Sequence, residues 1–170
     1  MDLSIRNKWI SLGDSSVVQT LEGEDVLKVK GKIFTFTRKK FVNDLDGNTK
    51  FIVRNKFFSL FGRSAFVLNP EGEQVALVRR KIISLHDRYF IECDLGELEI
   101  TGNILLFDYH ITLNGEEIGH VARKISLRDS FVLSFDETKY DPAFFVSLVI
   151  AIDNIIDRRR DNNSSYYSNN

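Results

Sequence analysis

Residues 69–85, NPEGEQVALVRRKIISL, read as a tight turn followed by a β-strand. Glu71-Gly72 is a turn pair, and glycine supplies the positive φ that a tight hairpin needs. After the turn the chain alternates. Ala76, Val78 and Ile82 fall on one parity; Val75, Leu77, Arg79 and Lys81 fall on the other. A strand sends alternate side chains to opposite faces, so the first set points to a core and the second, mixed set points to solvent. The same stretch recurs. Gly followed nine residues later by Lys occurs at Gly23–Lys32, Gly47–Lys56, Gly72–Lys81 and Gly115–Lys124. Such self-similarity is a stronger fold signal than any single motif. The glycines are separated by 24, 25 and 43 residues, and the longest gap has room for one more hairpin, Arg88–Thr101, turning at Leu95-Gly96. Asp46-Gly47, Glu71-Gly72 and Asn114-Gly115 are the expected positive-φ pairs. The inward parity carries Leu27, Val29 and Ile33 in one copy, Phe51, Val53 and Phe57 in the next, and Gly119, Val121 and Ile125 in the last. The shared lysine falls on the outward parity every time.

Further alternating segments at Leu3–Leu12, Ile33–Thr37, Ala65–Leu68, Tyr89–Cys93, Leu98–Thr101, Leu105–Leu113 and Phe131–Phe135 bring the total to about twelve strands. Two prolines in 170 residues agree with this, because central strands exclude proline. The C-terminal segment breaks the pattern. Asp141 can cap a helix and Pro142 suits its first turn. Ala143–Ile152 is then apolar on every side except Ser147, Ile155 and Ile156 extend it, and Arg158–Arg160 suit a helix C-terminus. A helix apolar all round must be surrounded, by protein or by lipid. Ten residues fall well short of the about 20 that span a bilayer, so protein is the expected surround and no transmembrane span is expected. The competing arrangement is a helix that leaves the fold and inserts into a bilayer. The expected fold is mainly β: a roughly twelve-stranded antiparallel closed barrel around a central buried C-terminal helix at about residues 142–158. Closure leaves no open sheet edge. One domain is expected over residues 1–160, followed by a disordered polar tail at 161–170, which is rich in Asn and Ser.

Hydrophobic residues make up 43% of the chain and charged residues 28%, a composition that fits a soluble globular protein and argues against a disordered one. Twenty-three Lys and Arg nearly balance 24 Asp and Glu, giving a net charge of −1. That excludes a bulk basic nucleic-acid binder, so nucleic acid is an unlikely partner, but it leaves room for a local basic patch. The N-terminal residues lack the apolar run of a secretory signal, and a single cysteine excludes an internal disulfide framework. A cytoplasmic location, in one reading peripheral to the membrane, is therefore expected.

On these features the chain resembles the tubby C-terminal-like superfamily, and within it the bacterial branch of the LURP-one-related proteins. The resemblance runs from about Leu3 to Arg158. It rests on the repeated Gly-to-Lys hairpins, on the basic-apolar-Ser-Leu punctuation (Lys56-Phe57-Phe58-Ser59-Leu60 and Arg80-Lys81-Ile82-Ile83-Ser84-Leu85), and on the Phe-rich helix ending Ile150-Ala151-Ile152-Asp153. It implies a twelve-stranded barrel around a C-terminal helix. It also implies a non-catalytic binding or scaffolding role, since tubby proteins bind phosphoinositide head groups through basic surface residues and the LURP-one-related branch has no generally assigned catalytic activity.

The residues offer little chemistry. His86, His110 and His120 lack ligand spacing; the last two fall on adjacent strands, but no third ligand is evident, so no metal site is expected. Cys93 reads as a buried inert thiol, with a Cys/His enzyme as the remote alternative. Asp44, Asp46, Glu71, Glu73, Glu116 and Glu117 sit at turns, where turn chemistry accounts for them. No phosphate-binding glycine loop occurs, and neither a cofactor nor a catalytic site is expected. The basic residues remain. With the glycine turns at one barrel end, Lys32, Lys56, Lys81 and Lys124 fall toward the other, accompanied by Arg79. These five are the candidate contacts for an anionic lipid head group or an acidic protein partner. Arg80 and Arg123 fall on the inward parity; either a local bulge rotates them outward or they pair with buried carboxylates or carbonyls, and a structural role is expected.

Overall fold

A computed structural model describes residues 1–6, 15–31, 38–56, 64–81, 87–103, 108–123 and 130–167; of residues 6, 15, 123, 130 and 158–167 it describes the backbone. Twelve strands are followed by one helix. The strands are β1 (Asp2–Arg6), β2 (Ser15–Thr20), β3 (Asp25–Gly31), β4 (Lys40–Asn43), β5 (Thr49–Asn55), β6 (Ser64–Leu68), β7 (Gln74–Arg80), β8 (Asp87–Cys93), β9 (Gly96–Asn103), β10 (Asp108–Leu113), β11 (Glu116–Arg123) and β12 (Ser130–Phe135). The helix α1 spans Pro142–Tyr167. Each strand pairs antiparallel with its sequence neighbours, and β1 pairs β12 to close the barrel, with Leu3 opposite Leu133.

The inward parity read from the repeats is the buried one. Leu27, Val29, Val53, Ala76, Val78 and Val121 all lie in the core. Ile33, Phe57, Ile82 and Ile125 lie outside the described residues. The turns differ in one detail from expectation. At Asn114-Gly115 both residues have positive φ, 52° and 84°, as a two-residue hairpin turn requires. In the copies at Gly23, Gly47 and Gly72 the glycine alone is positive, and Asp46 and Glu71 are not. The reason is a longer turn. The amides of Thr20, Asp44 and Asn69 each donate to the carbonyl four residues on, and the glycine amide donates back to the same residue. The first side chain then closes the loop: Asp44 Oδ1 accepts the Asn48 amide at 2.8 Å, and Asn69 Oδ1 accepts the Glu73 amide at 2.8 Å. Each of these hairpins also carries a β-bulge just before its turn, at Val18/Gln19, Val42/Asn43 and Val67/Leu68. The repeat is therefore a structural unit, with one added residue that increases local twist.

The tight turns gather at one barrel end, together with Met1 and the start of α1. Asp141 caps the helix, its Oδ1 accepting the Ala143 amide at 2.8 Å. From there α1 runs inside the wall. Phe145, Val146, Leu148, Ile150 and Ala151 are fully buried, in one cluster with inward residues of the strands. Ser147, the polar residue in the run, donates its hydroxyl to the Ala143 carbonyl at 2.7 Å, so it is satisfied without leaving the helix. Phe145 stacks on Phe135 with centroids 5.0 Å apart, and Phe144 meets Phe51 edge-on at 5.8 Å. The helix packs most closely on β5 and β6. It continues to Tyr167, past residue 158 and into the segment that the sequence reading assigns to a polar tail. Each residue added to an existing helix costs far less than starting one.

Gly102 shows how closely the wall is built. A Cβ there would clash with the Asp108 carbonyl oxygen and lie 2.7 Å from the Tyr109 Cα, both backbone atoms of the paired strand. Gly102→Ala must push β9 from β10. We expect a loss of about 3 kcal/mol or more in urea unfolding, at the upper end of overpacking costs.

Candidate functional site

The outward faces of β4–β8 carry an apolar band inside a basic surround. Phe41 lies opposite Ile52, and Ile52 opposite Leu68. Phe66 lies between Arg54 and Leu77, and Arg79 lies opposite Phe90. Ile52, Leu68 and Leu77 face outward yet are only 8%, 7% and 8% exposed. Neighbouring side chains shield them. Long basic side chains lay apolar stems along such surface and keep their charges in water. Their heads stand over the rings: Lys39 Nζ is 5.0 Å from the Phe41 centroid, and the Arg54 guanidinium 5.2 Å from that of Phe66. Lys56 Nζ is 5.8 Å from the same Phe66 ring, and Lys81 Nζ 5.7 Å from Phe90. These separations fall within cation–π range. Among the described outward positions of β4–β8 the acid is Glu92, and Arg79 pairs with it.

Three of the five expected basic contacts are therefore on this face. Lys56, Arg79 and Lys81 are exposed, and the two lysines directly follow β5 and β7 at the barrel end away from the glycine turns. Lys32 and Lys124 lie outside the described residues. Arg54 and Lys39 join the face although neither is among the five candidate contacts. For Arg54 the signal was the outward parity with an aromatic residue on the paired strand, and for Lys39 an aromatic residue two positions on along its own segment.

The family model for LURP-one-related proteins matches residues 1–153. The chain belongs to the LURP-one-related family. An X-ray structure of an Arabidopsis thaliana protein is similar in fold, with a TM-score of 0.62 at 18% identity, covering 95% of this chain and 90% of that one. No curated protein matches the chain by sequence.

Two other features of this LURP-one-related barrel are candidates for chemistry, and both are structural. The first is a polar cluster where α1 meets the end opposite the glycine turns. Lys40 Nζ lies 3.2 Å from Asp153 Oδ2, and Arg38 Nη1 lies 3.1 Å from Asp157 Oδ2. Arg38 has φ 49°, and its carbonyl is held by Asn154 Nδ2 at 3.1 Å. Asn55, fully buried on the inward parity of β5, donates to the Asn154 carbonyl at 3.3 Å. Arg80, inward on β7, donates through Nε to Asp87 Oδ1 at 2.9 Å, in line with the pairing expected of it. Arg123's side chain is outside the described set. A cavity of about 30 Å³ lies beside this cluster, between α1 and the wall at Ile100, Tyr109, Val121 and Phe131. It has room for about two waters, which is too little for a ligand. Burial holds the Tyr109 phenol well above its ordinary range, so it stays protonated.

The second feature is Cys93. It is half-buried on β8, and burial raises its thiol pKa, which leaves it protonated rather than nucleophilic. His110 and His120 are on the outward face of β10 and β11, whereas Cys93 packs against the core, so neither activates it. His86 lies outside the described residues.

The Lys40–Asp153 pair has a testable energetics. Burial pushes the Asp153 carboxyl above its ordinary pKa and the Lys40 amine below its own, so desolvation outweighs their mutual attraction. Lys40→Met alone leaves an unpaired buried carboxylate and should destabilise by about 3–5 kcal/mol. Lys40→Met/Asp153→Leu should recover most of that loss in the same urea titration. A raised carboxyl pKa favours the folded state below the unfolded value and loses that advantage as pH climbs past it. Wild type should therefore lose stability relative to the double variant as pH rises from 3 through the carboxylate range. A lowered amine pKa reverses the trend at alkaline pH, toward 10.5.

Proposed function

We propose that the chain is a non-catalytic binding module whose ligand is an anionic membrane surface, engaged by the basic aromatic face of β4–β8. The observation that carries this reading is the row of cations over rings at Phe41, Phe66 and Phe90. Aromatic residues beside lysines suit the boundary between lipid head groups and acyl chains, and each Lys or Arg near an anionic surface contributes about 1 kcal/mol. Membership of the LURP-one-related family and the barrel fold fit a binding domain of the tubby-like kind. The polar cluster at the far end supports the same view, because Lys40, Arg38 and Asn55 are spent on holding α1 in place. Association is peripheral: among the described residues no helix is long and apolar enough to cross a membrane.

Vesicle sedimentation tests the proposal. Vesicles containing phosphatidylserine or a phosphoinositide should retain the protein at low salt, and neutral phosphatidylcholine vesicles should not. Raising the salt to about 0.5 M should release it, since the Debye length falls to a few ångströms. Lys56→Glu/Lys81→Glu should weaken binding more than tenfold with an unchanged melting temperature, because both lysines are exposed. Equal retention on neutral and anionic vesicles, or none on either at low salt, overturns the membrane reading. Retention on an acidic polypeptide without vesicle binding would instead identify a protein partner for the face.

A further inference from the structure

A second cluster sits on another sector of the wall, on the outward face of β10 and β11. Asp108 and His110 share that face by the two-residue period of a strand. The register sets His110 directly opposite His120. Their rings stack, with centroids 4.8 Å apart and planes 25° from parallel. Asp108 Oδ1 lies 2.5 Å from His120 Nε2. One donor atom from each of Asp108, His110 and His120 falls within 4.8 Å of the others. A fourth residue arrives through a bulge. The shift between Ile111 and Thr112 pairs Thr112 with Glu117, so Glu117 joins the outward face. Its Oε2 lies 3.1 Å from His110 Nδ1. Bare alternation from His120 would turn Glu117 inward, and sequence spacing showed no third ligand beside the two histidines. The register and the bulge bring both carboxylates to the imidazoles.

We propose that Asp108, His110 and His120 bind a divalent transition-metal ion, with Glu117 orienting His110. Two imidazoles and one carboxylate form a nitrogen-rich donor set, which suits zinc and its neighbours better than magnesium or calcium. Glu117 on Nδ1 of His110 leaves Nε2 for the ion, the arrangement in which a carboxylate fixes a metal-binding histidine's tautomer and ring angle. The distances are near those needed. With N and O ligands at about 2.0–2.2 Å in a tetrahedral site, neighbouring donors lie about 3.4 Å apart. The Asp108–His120 contact must open by about 1 Å, and His110 must turn to bring Nε2 to the same separation from both. The side chains are free to do so, with exposures of 52% for Asp108, 49% for His110 and 37% for His120. The ion would take the place between Asp108 and His120 that their direct contact closes in its absence. Three protein donors leave one position for water or for an oxygen of a bound anion.

Titration of zinc chloride into the full chain in chelator-stripped buffer, followed by calorimetry, tests the site without any vesicle and so independently of the membrane reading. One zinc per chain is expected. His110→Ala and His120→Ala should each lower the affinity at least tenfold, and Glu117→Gln by about tenfold, as for other partners of metal-bound histidines. Cys93→Ser should bind as wild type does. Saturating zinc should raise the Tm of wild type and leave that of His120→Ala unmoved. The substituted residues at the site are solvent-facing, so the zinc-free variants should melt with wild type. The proposal is overturned if no stoichiometric binding is seen, or if both histidine variants bind zinc as tightly as wild type.

Discussion

A helix that is apolar on every side cannot be left in water, and that constraint governs this molecule. With side chains, a helix is about 10–12 Å across, and a wall that encloses it must be both closed and wide. Eight strands make a barrel whose interior is filled by its own side chains; diameter grows with strand number, so twelve leave room for a helix. The requirement reaches back to the repeat. Each hairpin contributes two strands, an inward row of Val, Leu and Ala, and a turn at the same end. Closure by β1 on β12 also removes the sheet edges that would otherwise invite aggregation.

The helix places most of its polar side chains where they can be answered. Asp141 caps one end, Ser147 bonds back to its own backbone, and Asp153, Asn154 and Asp157 meet Lys40, Arg38 and Asn55 at the other end. This end carries the strained φ of Arg38, held by Asn154. Fixing these partners makes the depth of α1 in the barrel specific, which apolar contacts alone would specify poorly. Once these groups are used for architecture, the candidate chemistry among the described residues lies on the outside of the wall. There it separates into a basic aromatic sector on β4–β8 and an imidazole–carboxylate sector on β10–β11.

The alternation at Gly72–Lys81 and its three copies made the strands, their inward faces and the barrel legible, because side-chain period depends on local sequence alone. The closed run Ala143–Ile152 made the buried helix legible for the same reason. Bulges were not legible. A bulge is a relation between two strands, and neither strand announces it. The turn geometry at Asp46 and Glu71 was misjudged on that account, since the added residue lengthens the turn and spares them a positive φ. Outward Leu77 reads as ordinary mixed surface in the sequence until the register sets it beside Phe66. Asp108 was likewise invisible as a neighbour of His120, twelve residues away, until β10 and β11 were paired. The lysines at the far strand ends were legible as positions, while their relation to the rings was not.

Native-state hydrogen exchange on α1 tests this account most directly. If the helix is the element around which the barrel closes, the amides of Phe145–Ile152 can exchange only when the whole domain unfolds. They should then report the same opening free energy as the central amides of β5 and β6, with the same dependence on denaturant. Exchange of those helix amides through a local opening several kcal/mol below the global value, while β5 and β6 stay protected, would show that the barrel stands without its helix and would contradict the account.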